Sequence, residues 1–127
     1  MALAFDGCAA DPNAHIMHAF EIGIDPSLPY AKNIHYQYGE LVVAKKPIAK
    51  PIGAPFDTAE LEMTIPENFE VSWETPDGAS HKAIVPVRGR LKSSIKDKGI
   101  LFLIFHDEVH GYVVTDSPTG ERREQFY

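Results

Sequence analysis

The chain is nearly devoid of cysteine. Cys8 is the only one among 127 residues, so no intramolecular disulfide can form and stability must come from packing. Long apolar runs are also missing. The longest, Ile100 to Phe105, falls far short of the ~20 residues a membrane-spanning helix needs, so no membrane span is expected. Positive charge is scarce, with 12 Lys and Arg against 18 Asp and Glu and a formal net charge of −6. Such a field disfavours nucleic acid and anionic membranes and favours basic partners. The glycines follow neither a Walker nor a dinucleotide-binding pattern, and no G-x-S-x-G elbow surrounds Ser72 or Ser80. No catalytic triad emerges, and the expectation is a binding protein rather than an enzyme, with no cofactor and no metal.

The amino-terminal stretch Met1 to Phe5 is apolar, but it is shorter than the roughly 7–15 residues of a secretory hydrophobic region and has no basic segment before it. Gly7-Cys8 has the look of a lipoprotein cleavage point, yet Asp6 stands where a small uncharged residue is wanted. We expect no targeting signal in this stretch as written, and a loosely held segment over residues 1–15.

What the chain does have is punctuation. Ten prolines and nine glycines break it at intervals of about ten residues, and β-branched and aromatic residues fill the gaps. At 127 residues and 44% hydrophobic content, this is expected to be one domain with its own core. Alternation predicts a strand over His18 to Ile24, ended by Asp25-Pro26. A second is predicted over Ile34 to Val43, bulged near Gly39. The stretch Lys45 to Asp57 carries Pro47, Pro51 and Pro55 and reads as a surface loop. Leu61, Met63 and Ile65 alternate with Glu60, Glu62 and Thr64, and Phe69, Val71 and Trp73 with Glu70, Ser72 and Glu74, which predicts two half-buried strands. Pro76-Asp77-Gly78 then predicts a hairpin between Phe69–Thr75 and Ser80–Val87. Arg88 to Gly99 suits a loop or one helical turn. Ile100 to His106 reads as a central strand covered on both faces, Val109 to Thr115 as its antiparallel neighbour, and Glu121 to Tyr127 as a last edge strand. The fold class is therefore all-β: an antiparallel β-sandwich or curled sheet of about seven strands, with at most one short helical turn.

His106 and His110 are spaced like the histidine pair of a zinc-protease helix, but their flanks, ILFLIF and YVV, are strands. With Asp107 and Glu108 at a hairpin tip, the two imidazoles point to opposite faces; on one extended strand they would stand roughly 13 Å apart. His15 and His18 read as exposed or partly packed, and His35 and His81 as structural. Glu60, Glu62, Glu70 and Glu74 read as solvated sheet faces.

The segments FEIGIDPSLPY, IPENFEVSWETPDGASHKAIVPVR and GILFLIFHDEVHGYVV together carry a resemblance. From Phe20 onward, the order of opening strand, Pro-Tyr bend, W-x-T-P-D-G-x-x-H hairpin and closing β-pair resembles the periplasmic immunity proteins of type VI secretion effectors, including those paired with phospholipase-type toxins. The resemblance implies a stoichiometric inhibitor that occludes the active site of a cognate toxin in the periplasm. An acidic inhibitor would suit a toxin with a basic active-site mouth. The family supplies no motif residues to carry over. Candidate contacts therefore come from the residues themselves: Asp107 and Glu108 at one predicted tip, Asp77 at another, and Phe56 with Asp57 in the Pro-rich loop. The rival expectation is a self-associating structural or adaptor domain of a secretion or phage-like assembly, pairing through Val109–Thr115 or the 121–127 tail.

Overall fold

The computed structural model describes residues 14–51 and 55–127. Cys8 and most of the segment expected to be loosely held therefore lie outside the described residues. Among the described residues nine strands run in order: β1 (Ile16–Ile24), β2 (Ala31–Tyr38), β3 (Val42–Ala49), β4 (Asp57–Met63), β5 (Asn68–Glu74), β6 (Ser80–Pro86), β7 (Gly99–Ile104), β8 (Val109–Ser117) and β9 (Gly120–Gln125). They form a five-stranded sheet, β4-β1-β7-β8-β9, and a four-stranded sheet, β3-β2-β5-β6. The all-β sandwich expected from the sequence is thus the architecture, with two more strands than the pattern suggested. No helix among the described residues is long and apolar enough to cross a membrane.

Every neighbouring pair is antiparallel except β1 and β7, which run parallel with Phe20 opposite Ile100 and Ile22 opposite Phe102. A parallel pair needs a crossover, and here most of the chain lies between the two strands. β7 is central, between β1 and β8, and Ile100, Leu101 and Phe102 are all buried, which explains why its sequence is apolar on both faces.

Alternation puts one set of side chains from each sheet between the layers. Phe20, Tyr38, Phe69 and Phe102 form the centre, with the Phe69 and Phe102 rings stacked at 3.9 Å between centroids. Ile22, Ile34, Val71, Trp73, Val85, Ile100 and Ile104 extend this core along the sandwich. Opposite Phe102, Gly111 leaves a gap that the Phe126 ring fills, meeting Phe102 edge to face at 6.2 Å.

Three expectations are corrected. Ile34 to Val43 is not one bulged strand, because Gly39 adopts φ +66° and turns the chain from β2 into β3. Only glycine takes that left-handed conformation without a steric penalty. Lys45 to Asp57 is not all loop: residues through Ala49 belong to β3, and Asp57 opens β4. Pro47 is tolerated because β3 is an edge strand, with no neighbour among the described residues to receive its missing N–H. Residues 52–54 of this stretch lie outside the described residues. Finally, Val109–Thr115 is no edge, since β8 is paired on both sides and β9 takes the edge.

Of the Arg88–Gly99 stretch, all but Gly99, which opens β7, is a loop with turns, anchored by the buried Ile95 and by the Asp97 amide donating to the Met17 carbonyl at 2.7 Å. Glu60, Glu62 and Glu70 are exposed and Glu74 half-buried, on the outer faces of β4 and β5. His18 is a further correction: only 1% exposed, it lies inside the sandwich.

Candidate functional site

Strand directions decide which loops meet. β1 ends at Ile24, and its parallel neighbour β7 ends beside it at Ile104. Asp57 opens β4 opposite Ile22, and Glu74 closes β5 opposite Lys32 at the start of β2. The connections 25–30, 75–79 and 105–108, with residues 50, 51, 55 and 56 between β3 and β4, therefore gather at one end of the sandwich. All five candidate contact residues, Phe56, Asp57, Asp77, Asp107 and Glu108, lie at or beside this end.

They are not equivalent. Asp57 is half-buried and already engaged: it accepts the Tyr36 hydroxyl hydrogen bond at 2.5 Å and pairs with Lys46 Nζ at 3.3 Å. Burial, followed by the Asp57 hydrogen bond and charge, drives the Tyr36 phenol far above its ordinary pKa, so the hydroxyl keeps its proton and donates. Phe56 packs against the core with its ring edge-on to Tyr36 at 6.4 Å. These two residues close the sandwich rather than project from it.

Asp77, Asp107 and Glu108 are exposed. Asp77 stands in the β5–β6 turn, and its carboxylate accepts from the Thr75 hydroxyl at 2.5 Å and the Ala79 amide at 3.2 Å. Those two bonds, with the nearby His106, hold its pKa below the usual carboxylate range, so it is charged at neutral pH. The turn is closed further by the Thr75 amide bonding to the Ala79 carbonyl at 3.0 Å and by Gly78, whose φ is +86°. Asp107 and Glu108 occupy the four-residue β7–β8 connection, closed by the Phe105 amide donating to the Glu108 carbonyl at 2.8 Å.

The two tips are tied together by Trp73, Thr75, His81 and His106. Trp73 Nε1 donates to the His106 carbonyl at 3.1 Å, bridging the two sheets. The His81 ring stacks on Trp73 at 5.4 Å and meets His106 edge-on at 5.7 Å. His106 Nε2 lies 3.8 Å from Asp77 Oδ2. Because Thr75 donates to Asp77, the contact of 3.1 Å between His81 Nε2 and Thr75 Oγ1 has the imidazole as donor. The signal for this arrangement was present in the W-x-T-P-D-G-x-x-H spacing, which places Trp73 directly opposite His81 across the hairpin.

His110 faces the other way. It pairs with Leu103 on the outer face of the five-stranded sheet, bonds Glu108 Oε1 at 3.0 Å and lies against Phe105 at 4.3 Å. His106 and His110 thus point to opposite sides, as the strand geometry requires. Among the described residues, no group of three His, Cys, Asp or Glu side chains is placed to hold a metal ion. The arrangement is a braced, acidic tip carrying imidazoles. Comparison of the chain with family models, with curated proteins and with solved structures gives no match.

Proposed function

We propose that this domain is an immunity-type inhibitor that binds a cognate secreted antibacterial effector in the periplasm and occludes its active site. The observation that carries the reading is the end of the sandwich where two interlocked hairpin tips present Asp77, Asp107 and Glu108 to solvent. A protein that blocks another's active site needs a projecting element that loses little conformational freedom on docking. The Trp73–His106 hydrogen bond and the Thr75 network brace both tips in the free protein. An effector that acts on anionic phosphodiesters, such as a phospholipase, is expected to have a cationic active-site mouth, to which three carboxylates on a net acidic domain would steer the encounter.

The test is to immobilise the protein, expose it to lysate and periplasmic extract of the source bacterium, and identify whatever is retained at near-equal stoichiometry. Recovery of a secreted hydrolase that loses activity on mixing supports the inhibitor reading. The double variant Asp107→Lys, Glu108→Lys should then weaken capture while leaving the circular-dichroism spectrum unchanged. A folded wild-type bait that retains no such protein argues against inhibition, and undiminished capture by the double variant removes the β7–β8 tip from the interface.

A further inference from the structure

We propose that the chain forms a two-fold dimer in which the β3 edge of each copy pairs with the β4 edge of the other. Among the described residues, β3 and β4 are terminal strands of their respective sheets. Both lie on the same flank of the sandwich, as the contacts of Asp57 with Lys46 and Tyr36 show. Their exposed charges have opposite sign: Lys45 on β3, and Glu60 and Glu62 on β4. Half-buried Lys46 adds a second positive charge to the basic edge.

The β3 side also carries the most exposed large apolar residues of the described structure, Leu41 at 67% and Val43 at 65%. An open edge flanked by such residues is a template for strand addition. Pro47 removes one donor near the end of β3 and leaves residues 42–46 able to pair.

Strand direction selects the partner edge. β4 is antiparallel to β1, β2 turns back from β1 through the 25–30 connection, and β3 is antiparallel to β2. β3 and β4 of one copy therefore run in opposite directions. A two-fold axis parallel to the strands exchanges the front and back sheets while keeping strand direction. It brings β3 of one copy antiparallel to β4 of the second, and β4 to β3, so both sheets continue across the interface.

Pairing like edges would instead set Lys45 against lysine and the Glu60–Glu62 strand against itself, which is unfavourable across strands. The crossed arrangement keeps residue heights, which sets Lys45 beside Thr58 and within diagonal reach of Glu60 on the neighbouring copy. It uses both terminal strands on that flank and closes without further growth. It also leaves the loop ends of both copies free and facing the same way, so the dimer presents two acidic tips side by side. The inference does not depend on the inhibitor reading and is tested without any effector.

Sedimentation equilibrium of the purified full chain in low-salt buffer, up to sub-millimolar concentration, should give twice the chain mass. Raising the salt should weaken the association. Lys45→Glu and Glu60→Lys should each weaken dimerisation about tenfold, because the symmetry repeats each lost contact, and the double variant K45E/E60K should recover it. A wild-type chain that remains monomeric throughout this range overturns the proposal, whatever the variants do. So does a dimer that neither single reversal affects, or one that the charge swap fails to restore.

Discussion

Protonation of His18 should weaken this fold. The imidazole is 1% exposed and joins the two sheets: Nε2 lies 2.9 Å from the Tyr38 hydroxyl, and Nδ1 lies 2.8 Å from the Ile16 carbonyl. A carbonyl only accepts, so Nδ1 carries the proton and Nε2 accepts from Tyr38. Burial also drives the Tyr38 phenol well above its ordinary pKa, which keeps that donor protonated. Adding a second proton to His18 would bury a charge and turn the Nε2 acceptor into a donor facing another donor. Desolvation accordingly lowers the His18 pKa, partly opposed by the Ile16 hydrogen bond and by the charge of Glu60.

The unfolded chain takes up this proton near the ordinary histidine value of about 6.5, while the folded chain resists it. The stabilisation is therefore fully present above that pH and declines as pH falls toward the lowered folded-state value. Within that window the loss approaches about 1.4 kcal/mol per pH unit. Urea denaturation at pH 7.5 and at pH 5.5, for the wild type and for His18→Gln, isolates this contribution from the other histidines. The variant should be less stable at both pH values, but its stability should fall less on acidification, by up to about 1.4 kcal/mol. Parallel pH profiles for the two proteins would refute the reasoning.

Trp73→Phe keeps an aromatic ring in the core but leaves the His106 carbonyl without its donor. We expect a loss of about 1 kcal/mol in chemical denaturation and faster amide exchange at residues 105–108. In Gly111→Ala, the new Cβ would fall 2.6 Å from Phe126 Cζ, so the ring must leave its seat. The expected destabilisation is about 1–3 kcal/mol, and most of it should be absent when the same change is made in a Phe126→Ala background. Gly39→Ala meets a φ of +66° and a Met63 Cε only 2.5 Å from the new Cβ, and should lose at least about 1–2 kcal/mol in a urea titration.

The order of strands, their buried faces and most of the turns were legible in the chain because they depend on short-range physics. Phe69, Val71 and Trp73 alternate with polar residues because successive side chains of a strand point to opposite faces. Pro76-Asp77-Gly78 marks the hairpin because those residues suit its backbone angles. Ile100–Ile104 reads as covered on both sides because it is apolar at every position. Gly39 was visible as an irregularity, but a strand pattern alone does not distinguish a bulge from a reversal. Pro47 looked like a loop residue because whether proline fits a strand depends on having no neighbour on its donor side, a property of sheet order.

Sheet order, the parallel β1–β7 pair and the burial of His18 against Tyr38 were decided by tertiary structure. Each depends on residues 20 to 80 positions apart in the chain, which no local pattern brings together. The same holds for the candidate site. The sequence marked Asp77, Asp107 and Glu108 as turn residues one at a time. Only the packing of the two sheets set their turns side by side, placed His81 and His106 between them, and drew Asp57 into contact with Tyr36 and Lys46. Local composition determines which residues face the core and where the chain turns; long-range closure of the sandwich determines which turns become neighbours.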